Sequence, residues 1–119
     1  MTTEQQLQAH LKTRIKTINY SSGFGEFKYK EQAKVIKCTD GFSMSVQASK
    51  NHYCEPRADK PKAYRQVEVG FPSARDELLM PYVEDETNPT GTVYGYVPIE
   101  VVCQVIENHG GFKENDHAE

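Results

Sequence analysis

The stretch AKVIKCTDGFSMSVQ, residues 33–47, decides the fold. Phe42, Met44 and Val46 alternate with Ser43, Ser45 and Gln47, the period of two required by a strand with one buried face. Asp40-Gly41 ahead of them tolerates left-handed backbone, and AKVIKC on the other side is a second apolar-rich run. The pattern predicts a β-hairpin with its turn at residues 39–41.

Working outward, YRQVEVGF (64–71) repeats the alternation through Val67, Val69 and Phe71, and TVYGYV (92–97) supplies a further short strand. An antiparallel sheet of about four strands is expected. Two connections interrupt it: the polar, proline-bearing loop 48–63, ASKNHYCEPRADKPKA, and the acidic loop 84–91, EDETNPTG. Between them SARDELLMPYV (73–83) reads as a short helix capped by Ser73 and broken at Pro81.

Helices are expected at both ends. Thr3 with Gln6 reads as a capping box, and Leu7, Leu11, Ile15 and Ile18 follow at helical steps, predicting an amphipathic helix over residues 3–18. SSGFGEF (21–27) would end it as a flexible connection. At the other end Pro98 suits a first turn, Ile99, Val102, Val105 and Ile106 form an inner face, and His109-Gly110-Gly111 is a stop signal. The order helix, strands, helix argues for an α+β fold, with the helices packed on one sheet, in a single domain over residues 1–112 and a frayed tail over 113–119.

A chain of 119 residues, 37% hydrophobic and with mean hydropathy −0.71, reads as a soluble globular domain. No run approaches the roughly 18 apolar residues of a membrane span, and the N-terminus lacks the apolar block of a secretory signal, so a cytoplasmic protein is expected. Three cysteines, Cys38, Cys54 and Cys103, at no paired spacing read as reduced thiols. Charge is uneven along the chain. Residues 1–75 carry thirteen of the fourteen Lys/Arg and seven of the seventeen Asp/Glu, a net of +6, while residues 76–119 carry one and ten, a net of −9. Either half could dock on an opposite charge or simply form a solvated face. An isoelectric point near 5.8 is a poor footprint for duplex nucleic acid.

NHYCEPR, residues 51–57, concentrates the chemistry. Zinc would recruit His52 and Cys54 with Cys38 or Cys103, but only one close pair exists where structural sites commonly use two. A Cys54 nucleophile with His52 as base lacks a local signature and an orienting third group. No glycine-rich phosphate loop is present. The residues fit a ligand clamp better: guanidinium forks match phosphate oxygens and aromatic rings sandwich a base. Arg57 and Arg75 are assigned to a pyrophosphate, Tyr53 and Phe71 to stacking, and His52 and Arg65 to ribose or phosphate contacts, with Tyr64 nearby. The plainer alternative puts Tyr64 and Phe71 in the core and the arginines in surface ion pairs. No catalytic residue, metal or cofactor is assigned.

The succession DGFSMSVQ, HYCEPR, VEVGFPS, GTVYGYVP and HGG resembles a family of small proteins carried by many bacteriophages and prophages, over nearly the whole chain. Within that group the chain is similar to the anti-Thoeris sponge family. The resemblance implies a non-enzymatic homo-oligomer, up to a hexamer, in the cytoplasm of an infected bacterium. It would sequester cyclic ADP-ribose signals made by TIR-domain enzymes, with cyclic oligonucleotides as further ligands. The family's binding residues are not carried over to individual positions here, so the six residues above rest on their chemistry. A rival reading is a phage inhibitor, like an anti-CRISPR, whose acidic half binds a host defence protein directly.

Overall fold

A computed structural model describes residues 2–13, 15–20, 27–59 and 61–113, with 15–20 and 27–31 as backbone only. The chain runs α1 (Thr3–Lys12), β1 (Ile15–Tyr20), β2 (Phe27–Gln32), β3 (Ile36–Lys37), β4 (Ser43–Gln47), β5 (Gln66–Gly70), a 3-10 turn (Met80–Tyr82), β6 (Val93–Pro98) and α2 (Ile99–Asn108). Strands β3-β4-β5-β6 form one antiparallel sheet in sequence order, and β1-β2 form a separate two-stranded ribbon. The α+β class and the four-stranded sheet are as the sequence predicts.

The hairpin forms at the predicted turn. Ile36 faces Met44, Lys37 faces Ser43, and the Cys38 amide donates to the Phe42 carbonyl. Gly41 takes the left-handed backbone, φ 97°, that its Asp-Gly step favours. Phe42, Met44 and Val46 are buried, and Val67 and Val69 meet them from β5. Leu7 and Leu11 of α1 join Ile99, Val102, Val105 and Ile106 of α2 in the same apolar cluster. Helix α2 stops where His109-Gly110-Gly111 predicts, with both glycines at positive φ and Gly111 donating back to the Ile106 carbonyl. Pro98 ends β6 and stands just ahead of α2 as its N-cap.

Three expectations are corrected. The first helix ends at Lys12, not residue 18, and its capping box uses Thr2 with Gln5. Ile15 and Ile18 belong to β1, paired with Gln32 and Tyr29. The run IKTINY is β-branched and aromatic, weak in a helix, and FKYKEQ offers it a partner strand. Residues 21–26 of the expected connection lie outside the described residues, as do residues 114–119 of the expected tail. The segment 73–83 makes one 3-10 turn that contains Pro81, and the Ser73 hydroxyl accepts from the Ser43 amide across the sheet end instead of capping a helix. Phe71 leaves the inward alternation: it stands past the end of β5 at φ 51° and is 58% exposed.

Side-chain amides tie the outer segments to this core. Gln8 of α1 donates to the Tyr64 carbonyl at 2.8 Å and accepts from its amide at 3.1 Å, which docks the end of the long loop on the helix. Buried Gln47 does the same for Ala33, at 2.8 Å in each direction. A buried amide left unpaired would cost about 1–3 kcal/mol, so these reciprocal pairs fix both segments in register.

Candidate functional site

β6 cannot run straight beside β5. Val67 faces Val97 and Val69 faces Tyr94, so two residues, Gly95 and Tyr96, stand against Glu68. This bulge keeps both Tyr94 and Val97 in the core and turns Tyr96 outward at φ 53°. A bulky aromatic residue in left-handed backbone is strained by about 1–3 kcal/mol, and such strain persists where the surroundings hold it.

The loop after β4 supplies that hold. The Tyr53 carbonyl accepts from the Tyr96 amide at 3.0 Å, and the Tyr53 amide donates to Glu68 Oε1 at 3.2 Å. Tyr53 lies over Gly95, where an added Cβ would stand 3.4 Å from the Tyr53 Cβ, so the glycine permits the close approach. The two rings, Tyr53 and Tyr96, are 6.0 Å apart between centroids, tilted by 38°, and each side chain remains 43% exposed. The Arg57 guanidinium sits 5.8 Å from the Tyr53 ring centroid. Beneath them Glu55 pairs with Gln66 as an extension of the sheet, and the Glu55–Pro56 peptide is cis.

Of the six residues assigned from sequence, Tyr53 and Arg57 are in direct contact. His52 adjoins them in the chain with its Nδ1 at 2.6 Å from the buried Ser49 hydroxyl. Arg65 forms an ion pair with Glu55. Phe71 and Arg75 stand beyond the far end of β5, a strand whose five residues span about 16 Å. There Arg75 pairs with Glu77 at 3.1 Å, which raises the arginine's already high pKa. Tyr64 is buried, and its hydroxyl donates to the Ala58 carbonyl at 2.6 Å, fastening the long loop. Among the described arginines, Arg57 is the one with no carboxylate in ion-pair range. Tyr96 was not among the sequence assignments. Its signal is the Gly95-Tyr96 step inside a strand pattern, since an interior strand glycine marks a bulge or a close backbone approach.

Neither metal nor thiol chemistry gains support from the geometry. No cluster of three His, Cys, Asp or Glu side chains placed to hold a metal occurs among the described residues. All three cysteines are free thiols. Cys54 is buried and donates to the carbonyls of Ser49 at 3.0 Å and Pro56 at 3.4 Å, and burial pushes its pKa up. Cys38 and Cys103 are pushed up to about 11, again mainly by burial. A nucleophilic thiol needs the opposite shift.

A second polar cluster lies at the C-terminus of α2. His109 Nδ1 is 2.6 Å from Asp40 Oδ2, its Nε2 is 3.0 Å from Asp76 Oδ2, and its ring stacks on Phe42 at 4.0 Å and 6°. Desolvation pulls the imidazole pKa down, but the two carboxylates outweigh it and hold the pKa above the ordinary 6.5. Asp40 is lowered by the Phe42 amide first and by His109 second. Both ring nitrogens are engaged, so the cluster joins three segments as a clamp.

Comparison with known protein families, with curated proteins and with solved structures finds no match.

Proposed function

We propose that the protein is a non-catalytic binder of a planar, anionic small molecule of nucleotide type, held on the platform formed by Tyr53, Tyr96 and Arg57. The observation that carries this reading is the pairing of two exposed, fixed rings with the one described arginine lacking a carboxylate partner. A base stacks on a tyrosine face, and the guanidinium fork meets a phosphate. His52 and Arg65 border the platform, while Phe71 and Arg75 stand at the far end of β5 and would contact a ligand only from a second molecule. In the setting that the resemblance implies, the ligand is a cyclic ADP-ribose signal or a cyclic oligonucleotide. The protein, a phage anti-defence homo-oligomer in the bacterial cytoplasm, works by mass action. It lowers the free signal when it is abundant and binds more tightly than the receptor does.

The test is to mix the protein with a panel of these cyclic nucleotides, remove protein by filtration, and quantify the free ligand before and after heat release. Depletion with intact recovery supports a sponge. Altered ligand would mean an enzyme, and no depletion would remove the reading.

A second reading draws on the acidic loop 84–91. Asp85 Oδ1 accepts from the Thr87 amide at 3.0 Å and its hydroxyl at 2.6 Å, and Asn88 and Gly91 donate back to Asp85 and Asn88 carbonyls. The loop thereby presents exposed Glu84, Asp85 and Glu86 in a fixed array. A preordered acidic array suits a basic surface on a host defence protein. Charge reversal at these three positions should abolish such inhibition and spare small-molecule capture.

A further inference from the structure

Glu68 is the carboxylate that adjoins the platform. It projects from β5 on the face away from buried Val67 and Val69, half-buried, with Gln47 opposite on β4 and the Gly95-Tyr96 bulge opposite on β6. Its Oε1 accepts from the Tyr53 amide at 3.2 Å, so the group is held against the loop that carries the platform ring. Among the described residues no second hydrogen bond reaches it. Gln47 supplies none, since its two amide hydrogens go to the Ala33 carbonyl and the Ser45 hydroxyl. The carboxylates around Glu68 are neutralised: Glu55 pairs with Arg65 and Asp59 with Lys50, whereas no described Lys or Arg nitrogen lies in ion-pair range of Glu68. Burial is the main reason that the Cys54 pKa is high; Arg57 pulls it down and Glu68 pushes it up, so both charges lie within reach of that one thiol.

Each charge selects a different part of a ligand. A guanidinium takes an anionic oxygen, while an ionised carboxylate only accepts hydrogen bonds and repels a phosphate brought beside it. The group that meets Glu68 is therefore neutral and carries a donor hydrogen. In a nucleotide that stacks its base on Tyr53 and sets its phosphate at Arg57, the part between them is the ribose, whose hydroxyls are neutral donors. Acidic side chains serve in this way in dinucleotide-binding folds, accepting from the ribose 2′-hydroxyl. The geometry points to Glu68 as the residue that reads a free ribose 2′-hydroxyl, so that the platform takes ribonucleotides and rejects their 2′-deoxy and 2′-phosphorylated forms. The inference rests on the platform reading and deepens it.

The experiment is calorimetry on the full chain and on Glu68→Gln with four probes: cyclic ADP-ribose, its forms with the adenosine ribose 2′-deoxy or 2′-phosphorylated, and the inosine analogue that lacks the base amine. Wild type should bind the 2′-deoxy form about tenfold and the 2′-phosphate about a hundredfold more weakly than cyclic ADP-ribose, with no such loss on the inosine analogue. Glu68→Gln keeps an oxygen for the Tyr53 amide and removes the charge, so the penalty on the 2′-phosphate should shrink about tenfold. A gain for one probe relative to its parent is not what a damaged fold produces. Equal wild-type affinity for the three ribose forms overturns the inference and leaves the platform standing, as does a Glu68→Gln variant that shifts every probe by the same factor. Loss on the inosine analogue alone also overturns it and assigns Glu68 to the base amine. No binding of any probe overturns it as well, and the depletion panel then tells whether the platform falls with it.

Discussion

The platform at Tyr53, Tyr96 and Arg57 and the clamp at Asp40, His109 and Asp76 use similar parts and close their accounts differently. Both set an aromatic ring beside a nitrogen-bearing planar cation or its precursor. In the clamp each imidazole nitrogen has a carboxylate and the ring face is stacked on Phe42. On the platform Arg57 meets a ring and no carboxylate, two tyrosines stay half in solvent, and Tyr96 sits in strained backbone. Satisfied polar groups hold a structure together. Groups held in place but left unsatisfied are where a ligand gains the most.

The sharpest way to break this contrast is to strip the platform. Replacing both Tyr53 and Arg57 with Ala removes a stacking face and a phosphate fork, and should weaken ligand binding about a hundredfold, roughly 3 kcal/mol. Calorimetry should show that loss while the thermal midpoint moves little, because Arg57 is exposed and Tyr53 keeps 43% of its surface in solvent. The clamp should behave inversely. Gly110→Ala puts a Cβ 2.6 Å from the Thr39 hydroxyl at φ 91°, so it should lower stability by about 2 kcal/mol in denaturant titration with affinity unchanged.

His109→Ala is a smaller break, on the order of 1 kcal/mol, since the clamp is partly open to water. Its signature is pH dependence. A raised histidine pKa contributes stability that is complete below the ordinary 6.5 and is lost as pH rises through the folded value. The lowered Asp40 pKa contributes stability above the ordinary 3.8, lost as pH falls through the folded value. The difference in thermal midpoint between wild type and His109→Ala should therefore be widest between those two values and shrink on either side. A flat difference would remove the charged clamp from the account.

How much of this the sequence disclosed follows from how local each feature is. The hairpin and α2 were legible because alternation, Asp-Gly and Gly-Gly act within a few residues. Tyr53 and Arg57 were legible as chemistry, but by residue type alone Arg65 and Arg75 carry equal weight. Only the fold shows that Glu55 and Glu77 pair with those two. The clamp joins residues 69 and 33 positions apart, which no local pattern marks. The β1 strand was hidden because Leu7, Leu11, Ile15 and Ile18 carry a helical spacing across the true helix end. Propensity and a partner strand overrule that spacing after Lys12.

The smallest expected effect sharpens the contrast at Tyr96. Asn tolerates left-handed backbone better than Tyr, so Tyr96→Asn should leave stability unchanged or raise it by up to about 1 kcal/mol while weakening the ligand. A variant more stable and less able to bind would show that the strain serves the platform. Equal loss of both would make Tyr96 an ordinary packing residue.

The most direct measurement runs ligand depletion side by side on wild type, Arg57→Ala and His109→Ala against the cyclic nucleotide panel. The platform account predicts that wild type and His109→Ala remove the same ligand and return it intact, while Arg57→Ala leaves it in solution. Depletion by Arg57→Ala equal to wild type, or depletion by none of the three, would contradict it.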